Sequence, residues 1–106
     1  FLDNNADKTI VIGAHYDHLG MGGSGSLYTE GEAVHNGADD NASGVAILLQ
    51  LALEVQKENY QENNFLFIAF SGEEMGLLGS NYFTKNSTID LSKVNYMLNL
   101  DMVGKY

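Results

Sequence analysis

The stretch ASGVAILLQLALEVQK, residues 42–57, decides the fold. It is built from helix formers, and Val45, Leu48, Leu49, Ala52 and Val55 recur at the spacing of one broad helical face. On its N-terminal side KTIVIGAH (8–15) is a short β-branched run closed by Gly and His, and on its C-terminal side NNFLFIAF (63–70) is a second apolar run. Both have the length and composition of buried strands. A strand, a helix and a strand in that order require a crossover, which pairs the strands in parallel and in a right-handed sense. The unit then repeats: GLLGSNYFTKN (76–86) reads as a shorter helix and VNYMLNLDMVG (94–104) as a third strand. The predicted fold is α/β, a mainly parallel sheet with helices packed on it, in one domain without internal repeat or linker. Between the first strand and the long helix, LGMGGSGSLYTEGEAVHNG (19–37) has no sustained period and reads as a loop. Loops of that length inside small domains are usually functional or mobile.

With 106 residues and 44% hydrophobic residues, the chain has room for one core and no more. A formal net charge of -9 argues against nucleic acid or an anionic membrane as partner, and suits a protein that gathers carboxylates around a cation. The absence of cysteine excludes thiolate metal sites, disulfides and a cysteine nucleophile. No apolar run reaches the length of a membrane span, and no leader pattern opens the chain. The chain begins almost on a strand and closes within a few residues of another. That is the expectation for the N-terminal part of a longer domain.

Parallel sheets bind ligands at the carboxyl ends of their strands, and the polar residues of this sequence gather there. His15 and Asp17 follow the first strand, Glu73 and Glu74 follow the second in SGEEMG, and Asp101 lies near the end of the third. In AVHNGADDNASG (33–44), Asp39, Asp40 and Asn41 crowd the start of the long helix, where one N-cap would need only one side chain. A mixed set of carboxylates and one imidazole is a donor set that zinc accepts. Without a cation, so many carboxylates in one place would repel one another and shift one another's pKa values.

The motifs GAHYDHLG, NGADDNASG, FSGEEMGLLGS and LNLDMVG, in this order and spacing, resemble the clan MH zinc exopeptidases. The likeness is greatest to bacterial leucyl-type aminopeptidases with two co-catalytic zinc ions. It covers nearly the whole chain and implies a three-layer αβα architecture, of which residues 1–106 would be the incomplete N-terminal part. It assigns His15 and Asp101 to one zinc, Asp40 as a bridge to both ions, and Glu74 to the other zinc. Glu73 would be the general base, and Asp17 would accept a hydrogen bond that orients the His15 ring. The family's further histidine ligand lies downstream of anything in this chain, so two zinc ions are expected in an intact catalytic domain and one or none here. By the same count, the isolated chain is expected to be inactive and to self-associate.

The implied reaction is hydrolysis of an N-terminal peptide bond, with a peptide bearing a free amino terminus as substrate. Another activity of the same clan (carboxypeptidase, dipeptidase, or a glutaminyl-cyclase-like acyl transfer) stays open, as does a non-catalytic domain that binds peptide or metal. Many members of the clan are exported, which implies an extracytoplasmic or secreted location. His18 and His35 flank the glycine-rich loop and read as surface or supporting residues.

Overall fold

In a computed structural model, which describes residues 1–105, the chain forms three strands and two principal helices: β1 (Thr9–His15), α1 (Gly44–Glu58), β2 (Asn64–Phe70), α2 (Leu78–Lys85) and β3 (Val94–Asn99). The strand order is β2-β1-β3, and both pairings are parallel. The register runs from Thr9 opposite Asn64 to His15 opposite Phe70 on one side of β1. On the other side it ends at Gly13 opposite Asn99 after an irregularity at Thr9/Ile10. An antiparallel bridge ties Leu2 to Phe65. The chain therefore winds first to one neighbour of β1 and then back to the other. In such sheets the ligand cleft opens at the carboxyl ends beside the reversal.

Side chains alternate across the sheet, and the two faces have different partners. Ile12 and Ala14 of β1 pack with Phe65, Leu100 and the α1 residues Leu48 and Val55 in one buried cluster. Gly13 lies on the opposite face, where a Cβ would come within 2.6 Å of the Phe70 ring. The Phe70 ring meets Phe83 of α2 edge-on, with ring centroids 6.3 Å apart. The helices thus cover opposite faces of the sheet. Among the described residues no helix is long and apolar enough to cross a membrane.

The α1 face differs from the predicted stripe at one position. Leu49 is 62% exposed, whereas Leu51 is half-buried against the core. Each residue turns a helix by about 100°, so Leu49 and Leu51 fall at opposite margins of the line through Leu48, Ala52 and Val55, and the sheet lies toward the Leu51 side. Two boundaries also differ. The third strand stops at Asn99 rather than running to residue 104, and the long helix starts at Gly44 rather than at Ala42. Before it, Ala38–Ser43 winds as an irregular turn in which Asp40 and Asn41 have non-helical backbone angles. Asp40 is therefore not a helix cap; it is carried on the turn that leads into α1.

Candidate metal centre

Three strand ends and one turn deliver the polar residues to a common place. His15 is the last residue of β1, Asp40 lies on the turn before α1, Glu73 and Glu74 follow β2, and Asp101 follows β3. The His15 ring is buried. Its Nε2 lies 3.0 Å from Asp40 Oδ1, 3.5 Å from Asp101 Oδ1 and 3.9 Å from Glu73 Oε2. Two sets of donors are close enough to share an ion, His15 with Asp40 and Asp101, and His15 with Glu73 and Glu74. Asp40 and Glu74 line one cleft together with His18 and His35. A second cavity, about 280 Å³, opens beside His15 and Glu73 over Phe70, Leu77, Met97 and Asn99.

The His15 tautomer gives this geometry a chemical meaning. Nδ1 lies 3.1 Å from the backbone carbonyl of Asp17, which can only accept, so Nδ1 carries the proton. In the neutral ring Nε2 is then a lone pair, and it faces a carboxylate oxygen 3.0 Å away. Both atoms, His15 Nε2 and Asp40 Oδ1, are buried without a hydrogen-bond partner. Two buried acceptors held together need a cation or a proton between them. The residues fit a divalent metal with mixed nitrogen and oxygen donors.

The charges around the ring act the same way. Burial alone would lower the His15 pKa, but the carboxylates of Glu73 and Asp101, the Asp17 carbonyl and Asp40 together raise it above its ordinary value. In the metal-free chain His15 is therefore protonated more readily than an ordinary imidazole. That stabilisation is complete below the ordinary 6.5 and is lost as pH rises through the raised value. Burial first, and then the neighbouring Asp40 and Glu73 carboxylates, push Glu74 up. A bound cation would relieve both strains.

Asp17 does more than the resemblance implies, and by a different atom. The ring-orienting hydrogen bond goes to its backbone carbonyl, while its carboxylate lies 3.6 Å from Nδ1. That carboxylate accepts instead from the backbone N–H of Glu73, at 3.1 Å, and of Glu74, at 3.2 Å. One residue thus fixes the imidazole and the paired glutamates. Burial would raise the Asp17 pKa, but these two N–H donors, together with its own backbone N–H and the His15 ring, outweigh it and hold the group below its ordinary 3.8. A depressed carboxyl contributes stability that is present above its unfolded value and lost as pH falls through the folded one. Asp17→Asn is accordingly expected to flatten the loss of stability on acidification from about pH 5 to pH 2, followed by urea unfolding at each pH. An unchanged acid profile in the variant would remove Asp17 from this role.

His18 and His35 are occupied within the glycine-rich loop. His18 Nδ1 accepts from the Gly20 N–H. His35 Nδ1 bonds the Ala33 carbonyl, which leaves Nε2 to accept from the Ser26 hydroxyl at 2.7 Å. Asp39 accepts from the Gly104 N–H at 3.0 Å and so serves the turn. The sequence placed Asn41 only among the polar residues that crowd the start of the long helix. The structure makes it the most enclosed large side chain of the chain's described residues, 2% exposed. Its position directly after two aspartates gave no hint of burial.

Comparison with known proteins points the same way as the geometry. The chain is 39% identical over 101 residues to a protein of Pyrenophora tritici-repentis named "Probable zinc metalloprotease", covering 92% of this chain and 21% of that one. It is 32% identical over 108 residues to a "Probable leucine aminopeptidase" of Arthroderma otae, covering 97% of this chain and 27% of that one. It is 42% identical over 96 residues to "Aminopeptidase YwaD" of Bacillus subtilis, covering 90% of this chain and 18% of that one. The chain therefore spans between 18% and 27% of the length of these relatives. No solved structure matches it. Residues 2–106 match the family model throughout, and the chain belongs to peptidase family M28, within the clan MH exopeptidases that its motifs resemble.

Proposed function

We propose that residues 1–106 are the N-terminal part of a zinc aminopeptidase catalytic domain and carry its general base and most of its metal ligands. The observation that supports this reading most directly is the buried pair His15 Nε2 and Asp40 Oδ1, 3.0 Å apart and neither with a hydrogen-bond partner. The names of the relatives supply the metal and the reaction class. In this reading His15, Asp40 and Asp101 hold one zinc, and Asp40 and Glu74 hold part of a second. Zinc bound there would act as a Lewis acid on the scissile carbonyl and acidify water.

The remaining work falls to the chain's own side chains. Glu73 accepts a proton from the attacking water and passes it to the departing amine. Its carboxylate is free for that role because its backbone, not its side chain, is tied to Asp17. The acidic rim formed by Asp40, Glu74 and Asp101 attracts the positively charged amino terminus of a peptide.

Ligand counting gives the test. A catalytic zinc usually has three protein ligands, and the first ion finds three here while the second finds two. Calorimetric titration of the 106-residue chain should therefore show one tight zinc site, with no measurable hydrolysis of an aminoacyl-anilide. No tight site would refute the proposed metal centre. Two tight sites, or turnover by these residues alone, would refute the division of ligands.

A further inference from the structure

We infer that Asn41 is a positioning residue for the metal centre, a buried carboxamide that holds together the three segments bearing His15, Asp40 and Asp101. This rests on the zinc site proposed above and goes beyond its ligands. Asn41 Nδ2 donates to the carbonyl of His15 at 3.2 Å and to the carbonyl of Leu100 at 2.9 Å. Its Oδ1 accepts from the N–H of Gly44 at 3.1 Å and of Met102 at 3.2 Å. A carboxamide has two N–H donors and two acceptor lone pairs, and all four are used. The orientation is fixed by chemistry, because a reversed amide would set oxygen against two carbonyls and N–H against two N–H groups.

The four backbone partners are not scattered. One belongs to His15 itself, two flank Asp101 on either side, and Gly44 opens α1. Asp40 precedes Asn41 in the chain. His15 and Asp101 are thus one residue or less from a group that Asn41 holds, and Asp40 is bonded to Asn41 through the chain. The bonds to His15, Leu100 and Gly44 are buried, so water cannot replace them, and the bond from Met102 is partly buried. Loss of the amide would let β3's end drift from β1's end and widen the spacing between His15 and Asp101. Ligand spacing set by surrounding hydrogen bonds is a determinant of metal affinity.

The structure supplies a matched control. Asn64 is also buried, begins β2 at the opposite end of the sheet, and also binds only backbone. Its Oδ1 accepts from Asn4 and Ala6 N–H, and its Nδ2 donates to the Ala6 carbonyl. Substituting Asn64 costs a similar network far from the metal.

The experiment measures zinc affinity by competition with a chromophoric chelator, alongside thermal unfolding, for the unmodified chain, Asn41→Ala, Asn41→Leu and Asn64→Ala. Both Asn41 variants are expected to bind zinc about 10–100-fold more weakly. Asn64→Ala is expected to lose stability while keeping its zinc affinity. Should the Asn41 variants fail to fold, amide exchange of the unmodified chain decides the matter. Zinc is then expected to slow exchange at Gly44 and Met102, which bond Asn41, more than at Ala6, which bonds Asn64. Unaltered zinc affinity in the Asn41 variants, equal weakening in Asn64→Ala, or equal slowing at the three amides would each overturn the inference. Failure of the unmodified chain to bind zinc would overturn the metal site, and this inference with it, before any substitution is made.

Discussion

Glu73→Gln, made in a protein that contains the whole catalytic domain, is expected to lower kcat for an aminoacyl-anilide by about 10²–10⁴-fold, the usual contribution of a general base. Zinc content should stay near normal. Glutamine keeps the size of the side chain and the backbone N–H that Asp17 accepts, so the loop retains its anchor. It cannot take up a proton. The Glu73 carboxylate stands 3.9 Å from His15 Nε2 and is partly exposed toward the cavity over Phe70 and Met97, where substrate and water have access. Because the ligands assigned to zinc are His15, Asp40, Glu74 and Asp101, the variant separates loss of proton transfer from loss of metal. Comparable turnover in the variant would remove Glu73 from the role of base. A fall in zinc content of the same size as the fall in kcat would make it a ligand instead.

The second large effect is structural and runs against helix propensity. Replacing glycine by alanine inside a helix normally stabilises by about 1 kcal/mol. Gly44→Ala should destabilise this chain by about 3 kcal/mol, as overpacking and the loss of buried hydrogen bonds combine. Gly44 starts α1 with ordinary helical angles, so conformational freedom is not the reason for glycine. Space is the reason. A Cβ there would collide with Asn41 Oδ1 and come within 2.5 Å of the Leu100 carbonyl. Neither atom belongs to a flexible tip that could move aside, since Asn41 is held by four backbone groups and Leu100 is core. In a domain of this size the loss corresponds to a fall in Tm of roughly 12–24 °C. A Tm at or above that of the unmodified chain would show that the turn before α1 yields easily.

The element order and the parallel pairing were legible because both depend on local patterns, two apolar strands and a helix of adequate length between them. The gathering of His15, Asp40, Glu73, Glu74 and Asp101 was legible for a related reason: parallel topology sends every residue just after a strand to the same edge. What sequence could not show is which atom of a residue acts. Asp17 looks like a carboxylate aimed at His15, yet its carbonyl meets the ring and its carboxylate meets two N–H groups of the β2–α2 loop. Asn41 looks like a turn residue, because asparagine suits turns wherever they lie. Its enclosure comes from the segment that follows β3, more than fifty positions away along the chain. The exposed Leu49 shows the same limit on a smaller scale. An apolar residue at the margin of a helical stripe can fall on either side of it, and only the position of the sheet decides which.

The central place of β1 has a consequence for how this chain comes into being. Of the three described strands, the one made first, Thr9–His15, is the one that lies between the other two, Asn64–Phe70 and Val94–Asn99. During synthesis its apolar residues wait for partners far along the chain, which makes folding slow to begin and leaves the strand exposed to wrong pairings meanwhile. No nascent chain can present His15 and Asp101 together until Asp101 has been added. An ion that needs both cannot guide the early steps of folding. It can only hold the finished fold against opening.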